Sequence, residues 1–255
     1  MSLAEVKGVL FDLDGTLADT APDLVQALNL SLSDVGIAAK PFADMRSAAS
    51  HGSFALVDAA IPGADEVLRT QVQQGLLAHY QRINGDHCQL FEGISPLLDW
   101  LELCRVPFGV ITNKPARFTR PLLHKLKLSS RMPVMISGDS TRYPKPHTAP
   151  MLLGAQQLQC KPQQILYLGD AERDLLAAQA AGMLGGVALT VHFHFVGTRQ
   201  TRVALQQGHP AVDQQVAVDA VEAVDLAVLV GDQGRPVKVR LPQGPADTAG
   251  LLEVF

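Results

Sequence analysis

Apolar positions in this chain come as short unbroken runs in some stretches and at helical spacing in others. The first run, Gly8-Val9-Leu10-Phe11, stops abruptly at an acidic cluster and predicts a buried strand over Lys7–Phe11. Thr20, with Pro22 and Asp23 just behind it, is a helix-start signal, and helical spacing over Leu24–Val35 runs to a stop at Gly36. From there to about residue 90 the pattern is helical and poor in strands. The segments are Phe42–Ala49, Phe54–Ala60 and Asp65–Ile83, broken at His51-Gly52 and Pro62-Gly63. A parallel sheet does not ordinarily place that much helix between its first two strands, so residues 19–90 are expected to form a separate helical cap.

Beyond Phe91-Glu92-Gly93 the alternation becomes regular. Helices are predicted over Pro96–Cys104, Ala116–Leu126, Ala149–Leu158 and Glu172–Ala181, with strands over Phe108–Ile111, Pro133–Ile136, Ile165–Leu168 and Val187–Val191. The strands are too brief for helices and do not alternate in polarity, as expected when both faces are covered. The fold class is therefore α/β: a Rossmann-like parallel sheet flanked by helices, built from residues 1–18 and 91–255. Its end, from about residue 193, is atypical. Gln206–Pro210 reads as a loop and Asp225–Val230 as a strand, while Gly231–Leu241 could turn as a hairpin through Asp232-Gln233-Gly234, against which Pro236 counts. Three placements stay open for this tail: the sheet edge, a cover over it, or a dimer interface.

Composition narrows the function classes. An apolar fraction of 47% with 18% charged residues suits a soluble globular chain with a sizeable core. A formal net charge of −4 and the lack of any Lys/Arg run argue against a nucleic-acid partner. Charges interrupt every apolar stretch before membrane-span length, and Met1–Lys7 carries no basic-then-apolar leader pattern, so a cytoplasmic protein without membrane contact is expected. The three cysteines, Cys88, Cys104 and Cys160, have no CxxC spacing and read as reduced thiols.

Ligands of an open parallel sheet bind outside the carboxyl ends of its strands. The polar residues that follow each predicted strand form a coherent set there. They are Asp12, Asp14, Gly15 and Thr16 after the first strand, then Thr112 and Asn113 after the second. Lys145 follows the third, and Gly169, Asp170 and Asp174 follow the fourth. Several aspartates, a lysine and small polar residues at adjacent strand ends suit a hard cation and a phosphate. Each has a plainer reading alone: a capped turn for Asp14-Gly15, a helix start for Thr112-Asn113, a solvated loop lysine for Lys145, and helix N-terminal acids for Asp170 and Asp174.

Asp12-Leu13-Asp14-Gly15-Thr16, Ile111-Thr112-Asn113, Lys145 and Gly169-Asp170-Ala171-Glu172-Arg173-Asp174 resemble, in order, the four motifs of the haloacid dehalogenase-like hydrolase superfamily. The resemblance spans roughly residues 6–192, and Thr112-Asn113-Lys114-Pro115 with Lys145-Pro146-His147 is similar to its phosphoglycolate phosphatase branch, whose relatives include an enzyme acting on N-acetylmuramic acid 6-phosphate. It implies a magnesium-dependent phosphatase for a small phosphorylated metabolite, such as phosphoglycolate or a sugar phosphate; whether the chain is a monomer or a homodimer stays open. Asp12 would be the nucleophile and Asp14 the general acid and base. Mg2+ would be held by Asp12, the Asp14 carbonyl and Asp170. Lys145 would stabilise the phosphoryl charge, Thr112 and the Asn113 amide would hold the phosphoryl oxygens, and Gly15 would allow the tight turn beneath them. Asp174 would orient a metal-bound water or Lys145.

Two other enzyme readings belong to the same superfamily, a phosphosugar mutase and a haloacid dehalogenase, although Asp14 counts against the second. A catalytically silent interaction domain is the non-enzymatic alternative. His192 and His194 would share one strand face, yet with no third ligand in view they read as structural or surface histidines. The stripe over residues 65–83 reads as core packing. Loops of the cap are expected to face the site, which nominates Arg46 and His51 for substrate selection. Replacing each with alanine is expected to raise KM for the true substrate; unchanged Michaelis parameters would remove that residue from the set.

Overall fold

The computed structural model describes residues 4–187, 194–197, 224–230, 235–241 and 250–253. A short strand β1 (Ala4–Glu5) precedes β2 (Gly8–Phe11). Next, β3 (Ala18–Asp19) leads into four helices, α1 (Ala21–Asp34), α2 (Phe42–Ala49), α3 (Ser53–Ala60) and α4 (Glu66–Ile83). After them β4 (Gln89–Leu90) pairs antiparallel with β3, so the chain leaves and re-enters the sheet region through one two-stranded ribbon. Helices and strands then alternate as α5 (Ile94–Leu103), β5 (Phe108–Ile111), α6 (Ala116–Lys125), β6 (Val134–Ile136), α7 (Thr148–Leu158), β7 (Ile165–Gly169), α8 (Glu172–Ala180) and β8 (Leu184–Val187).

The core sheet has the order β6-β5-β2-β7-β8, and every pairing in it is parallel. Side chains on a strand alternate between faces, and both faces here are apolar. Val9, Phe11, Phe108, Val110, Leu166 and Leu168 pack with Leu97, Leu101, Leu122 and Leu123 of α5 and α6. Leu10, Ile111, Ile165 and Tyr167 pack with Met151, Ala155, Ala177 and Ala178 of α7 and α8. This two-sided burial explains why the strands read as continuous apolar runs. It also puts β2 at the centre, where the connections turn to opposite sides, so the loop after it opens at the topological switch point.

Helices α1–α4 enclose an apolar cluster of their own, with Leu28, Leu32, Leu56, Val72, Leu76 and Tyr80 buried. Phe118 of α6 joins that cluster, and its ring meets Tyr80 edge-on with centroids 5.3 Å apart. Asp65 caps α4 by accepting the Leu68 N–H at 2.8 Å. Thr20 occupies the cap position of α1 without capping it.

Two stretches differ from the sequence expectation. The last core strand lies at Leu184–Val187 rather than Val187–Val191; of the expected span, residues 188–191 lie outside the described residues. Gly185 and Gly186 carry no apolar side chain to mark the strand, and a Cβ at Gly185 would press to 3.3 Å from Leu175 Cδ2 and Ala178 Cβ of α8. In the tail, β9 (His194–Gly197), β10 (Val224–Val230), β11 (Arg235–Leu241) and β12 (Gly250–Glu253) form a second sheet with β1, in the order β1-β11-β10-β12-β9. The tail strands thus pair with one another and with β1 rather than extending the core sheet. β10 and β11 are antiparallel, with Leu229 opposite Pro236. The expected turn at 232–234, the loop at 206–210 and His192 lie outside the described residues.

Gly109 sits opposite Val134 in the sheet, and a Cβ there would lie 2.5 Å from Val134 Cβ and 2.6 Å from its carbonyl oxygen. Gly109→Ala is therefore expected to destabilise the fold by about 1–3 kcal/mol, because a backbone atom cannot swing aside as a side-chain tip can. A thermal melt checks this, with a drop of several degrees expected and an unchanged midpoint showing that β6 yields freely.

Candidate active site

The loop after β2 carries Asp12 to Thr16, and three other strand ends face it. Asp12 continues the β2–β7 ladder by donating its N–H to Leu168 O at 2.8 Å, which fixes where its side chain starts. That side chain is 3% exposed. Its Oδ1 accepts the Leu13 N–H at 2.8 Å and lies 2.9 Å from Lys145 Nζ. Gly15 turns the loop with φ +82°, a conformation a side chain resists, and a Cβ there would run into the Asp170 carboxylate. Thr16 donates its hydroxyl to Asp170 Oδ1 at 3.4 Å.

Lys145 is the hub of the cluster. Its buried Nζ donates to Asp174 Oδ1 at 2.6 Å, Tyr167 Oη at 2.7 Å and Ile111 O at 2.9 Å. Its backbone is held as firmly. Asn113 accepts the Lys145 N–H on Oδ1 and donates its Nδ2 to the Lys145 carbonyl, both at 2.9 Å. The Asn113 side chain is thus committed to fixing Lys145. Thr112 is buried and its hydroxyl accepts the Lys114 N–H at 3.1 Å. Asp174, also buried, takes the Ala171 N–H on its other oxygen at 3.1 Å, which closes the first turn of α8.

Asp12, Asp170 and Asp174 bring carboxylate oxygens within 4.8 Å of one another. One ammonium among three carboxylates leaves the cluster short of positive charge. Burial, together with Asp174 and Asp14 nearby, outweighs Lys145 and pushes the Asp12 carboxyl up to about 6. Burial and Asp174 also raise Asp170. A set of hard oxygen donors with excess negative charge fits a small divalent cation such as Mg2+. The sequence reading places Asp14 near that cation through its carbonyl; its carboxylate turns elsewhere.

Asp14 Oδ1 accepts from Thr20 Oγ1 at 2.5 Å and from Lys114 Nζ at 2.7 Å. Burial works to raise this carboxyl, but the Lys114 ammonium and both hydrogen bonds outweigh it and hold it below the usual carboxylate range. Lys114 reaches the cluster from the loop after β5, and its Nζ stands 4.9 Å from the centre of the Tyr80 ring on α4. Lys114, Thr20 and Tyr80 carry no role at the site in the sequence reading, where Thr20 is only a helix-start signal. Lys114 is within the Thr-Asn-Lys-Pro segment, but Tyr80 blends into the apolar stripe of α4, and nothing along the chain marks it as a neighbour of Asp14.

The two residues nominated on the helical segment differ. Arg46 pairs with Asp19 at 2.8 Å, next to the ribbon, and stacks against Phe42 at 5.4 Å. His51 is exposed and bonds to Ser47 O through Nδ1 at 3.1 Å. Its neighbour Ser50 accepts a hydrogen bond on its carbonyl from Arg173, between Asp170 and Asp174, at 3.1 Å. The corner after α2 therefore touches the rim of the cluster through Arg173, not through His51.

This order of strands, with these side chains at their ends, defines a Rossmann-like α/β scaffold with a site at its strand ends, and a family model described as haloacid dehalogenase-like hydrolase matches residues 9–186. The chain belongs to that family. Among its relatives is a phosphoglycolate phosphatase of Xanthomonas campestris pv. campestris, 38% identical over 183 residues, which cover 72% of this chain and 83% of that one. An N-acetylmuramic acid 6-phosphate phosphatase of Pseudomonas putida is 37% identical over 182 residues, covering 69% and 80%. Among solved structures, a predicted phosphoglycolate phosphatase from Haemophilus somnus superposes with a TM-score of 0.64 at 26% identity, covering 73% of this chain and 85% of that one. Among the described residues no helix is long and apolar enough to cross a membrane.

Because the Asp12 carboxyl is raised in the folded chain, it favours the fold when protonated. That contribution is complete below the unfolded value near 4 and is lost as pH rises through about 6. In metal-free protein Asp12→Asn is therefore expected to be more stable than the parent at pH 8, by on the order of 2 kcal/mol. The advantage should shrink as pH falls from 6 to 4. Urea titrations in EDTA across this range measure it, and a constant difference would contradict the burial argument.

Proposed function

We propose that this chain is a magnesium-dependent phosphatase that hydrolyses a small alkyl phosphomonoester through an aspartyl-phosphate on Asp12. One observation carries the reading. Asp12 is pinned through Oδ1 alone, by Leu13 and Lys145, and its Oδ2 has no donor among the described residues. A buried carboxylate anchored by one oxygen and open at the other is arranged as a nucleophile.

Asp12 Oδ2 attacks phosphorus while the bond to the leaving oxygen breaks, and Asp14, in its protonated form, gives that oxygen its proton. Water then attacks the phosphorus of the aspartyl-phosphate and loses a proton to Asp14. Inorganic phosphate departs, and Asp12 is restored as a carboxylate. Lys145 balances the charge of Asp12 and Asp174 and favours charge on the transferring oxygens. Thr112 and the Asn113 backbone N–H lie at the next strand end, where a phosphoryl oxygen would be held. Asp12, Asp170 and the Asp14 carbonyl would hold Mg2+, with Asp174 behind them. Bound there, the cation supplies the positive charge that lets an anionic nucleophile approach an anionic phosphate.

Helices α1–α4 act in this reading as a cap that excludes water and selects the leaving group. Tyr80 over Lys114 and the Arg173–Ser50 contact support that role. The substrate class follows from the relatives, which are named for phosphoglycolate and for N-acetylmuramic acid 6-phosphate, both phosphomonoesters of an alcohol. Hydrolysis of p-nitrophenyl phosphate is expected to require Mg2+, to stop on chelation and to fall by at least about 1,000-fold in Asp12→Asn. Equal rates in that variant would sink the covalent mechanism. A panel of phosphorylated metabolites with Mg2+ then identifies the substrate.

A further inference from the structure

Asp14 is held in a manner that the family-level mechanism does not require. Both of its hydrogen-bond donors, Thr20 Oγ1 and Lys114 Nζ, converge on Oδ1, while Oδ2 has no donor among the described residues. A carboxylate on a short loop can otherwise turn about two side-chain bonds, and a general acid displaced by 1 Å loses much of its effect. Lys114 is itself tightly placed. Its side chain is 7% exposed, its N–H is tied to Thr112, and the Tyr80 ring covers its ammonium.

We propose that Lys114 is a positioning residue for Asp14: with Thr20 it clamps Oδ1, so that Oδ2 is aimed at the leaving-group oxygen, and Tyr80 of α4 holds the clamp in place. The proposal rests on the reading of Asp14 as the acid. A buried ammonium needs a partner, and here its carboxylate partner is the residue whose orientation the chemistry depends on. Thr20 joins the clamp instead of capping α1, a position where its hydroxyl would ordinarily serve the helix. Tyr80 sits near the end of α4, and four residues on, Asn84 donates to Phe118 O of α6 at 2.8 Å. The clamp is therefore complete while the end of α4 rests on the core, which links the position of the helical segment to the aim of the acid.

A leaving group that needs a proton separates this role from a merely structural one. Phenolate leaves poorly without protonation, whereas p-nitrophenolate does not need it. Single-turnover release of the two phenols, in saturating Mg2+, reads the first step alone. Lys114→Met is expected to lose about 100-fold on phenyl phosphate and no more than about fivefold on p-nitrophenyl phosphate, in line with the usual weight of general acid catalysis. Lys114→Gln, which keeps an N–H donor without the charge, should regain part of the phenyl phosphate rate, and it carries the comparison should the Met variant fail to fold. Asp14→Asn should show the same split as Lys114→Met. If Asp14→Asn shows the split and both Lys114 variants lose equally on the two substrates, or lose nothing, the positioning role is overturned. If Asp14→Asn itself shows no split, the reading of Asp14 as the acid fails instead.

Discussion

A single buried ammonium ties together the carboxyl ends of the central strands. Lys145 Nζ reaches the carbonyl of Ile111 at the end of β5, the hydroxyl of Tyr167 on β7, Asp174 on α8 and Asp12 after β2. A buried charge removed from water must be paired, and losing one partner of such a pair typically costs about 3–5 kcal/mol. The demand for partners is what draws four elements to one point. Asn113 completes the arrangement by gripping the Lys145 backbone, so the ammonium starts from a fixed place. Each remaining feature of the cluster is arranged around that point.

The pairing is incomplete on purpose. Burial, reinforced by the neighbouring carboxylates, holds Asp12 and Asp170 above their ordinary range. This excess of negative charge is unfavourable for the empty fold and favourable for a cation. Two residues along, Asp14 is pushed the opposite way by Lys114 and Thr20. Neighbouring carboxyls with environments that drive them apart are suited to separate chemical roles. In the proposed mechanism a phosphate dianion arriving beside Asp14 works against the Lys114 charge and favours the protonated acid at the moment it is needed.

The helical segment touches this cluster in few places. Its own apolar core accounts for its folding, and the β3–β4 ribbon joins it to the sheet. Tyr80 covers Lys114, while Arg173 grips Ser50. Under the proposed function, contacts of this kind suit a cap over the site. The tail strands pair in a separate sheet shared with β1.

The core strands and their helices were legible in the sequence, because a strand buried on both faces must be apolar throughout and the helices between must repeat with their own period. That Asp12, Asp14, Thr112, Asn113, Lys145, Asp170 and Asp174 would gather at one end of the sheet was legible too, since polar residues that follow parallel strands converge there. Two things were not. Gly185 and Gly186 hid the last core strand, since a glycine chosen for close packing against α8 carries no hydrophobic signal. The hold on Asp14 was hidden because Thr20 and Lys114 lie 6 and 100 residues from it, and Tyr80, which covers Lys114, lies 66 residues away. By itself the sequence determined the first four strands of the core sheet, the order of the motifs and the polar residues that follow those strands. Tertiary structure alone decided which oxygen of each carboxylate is held and which is left open, because that depends on donors that meet only when distant segments pack.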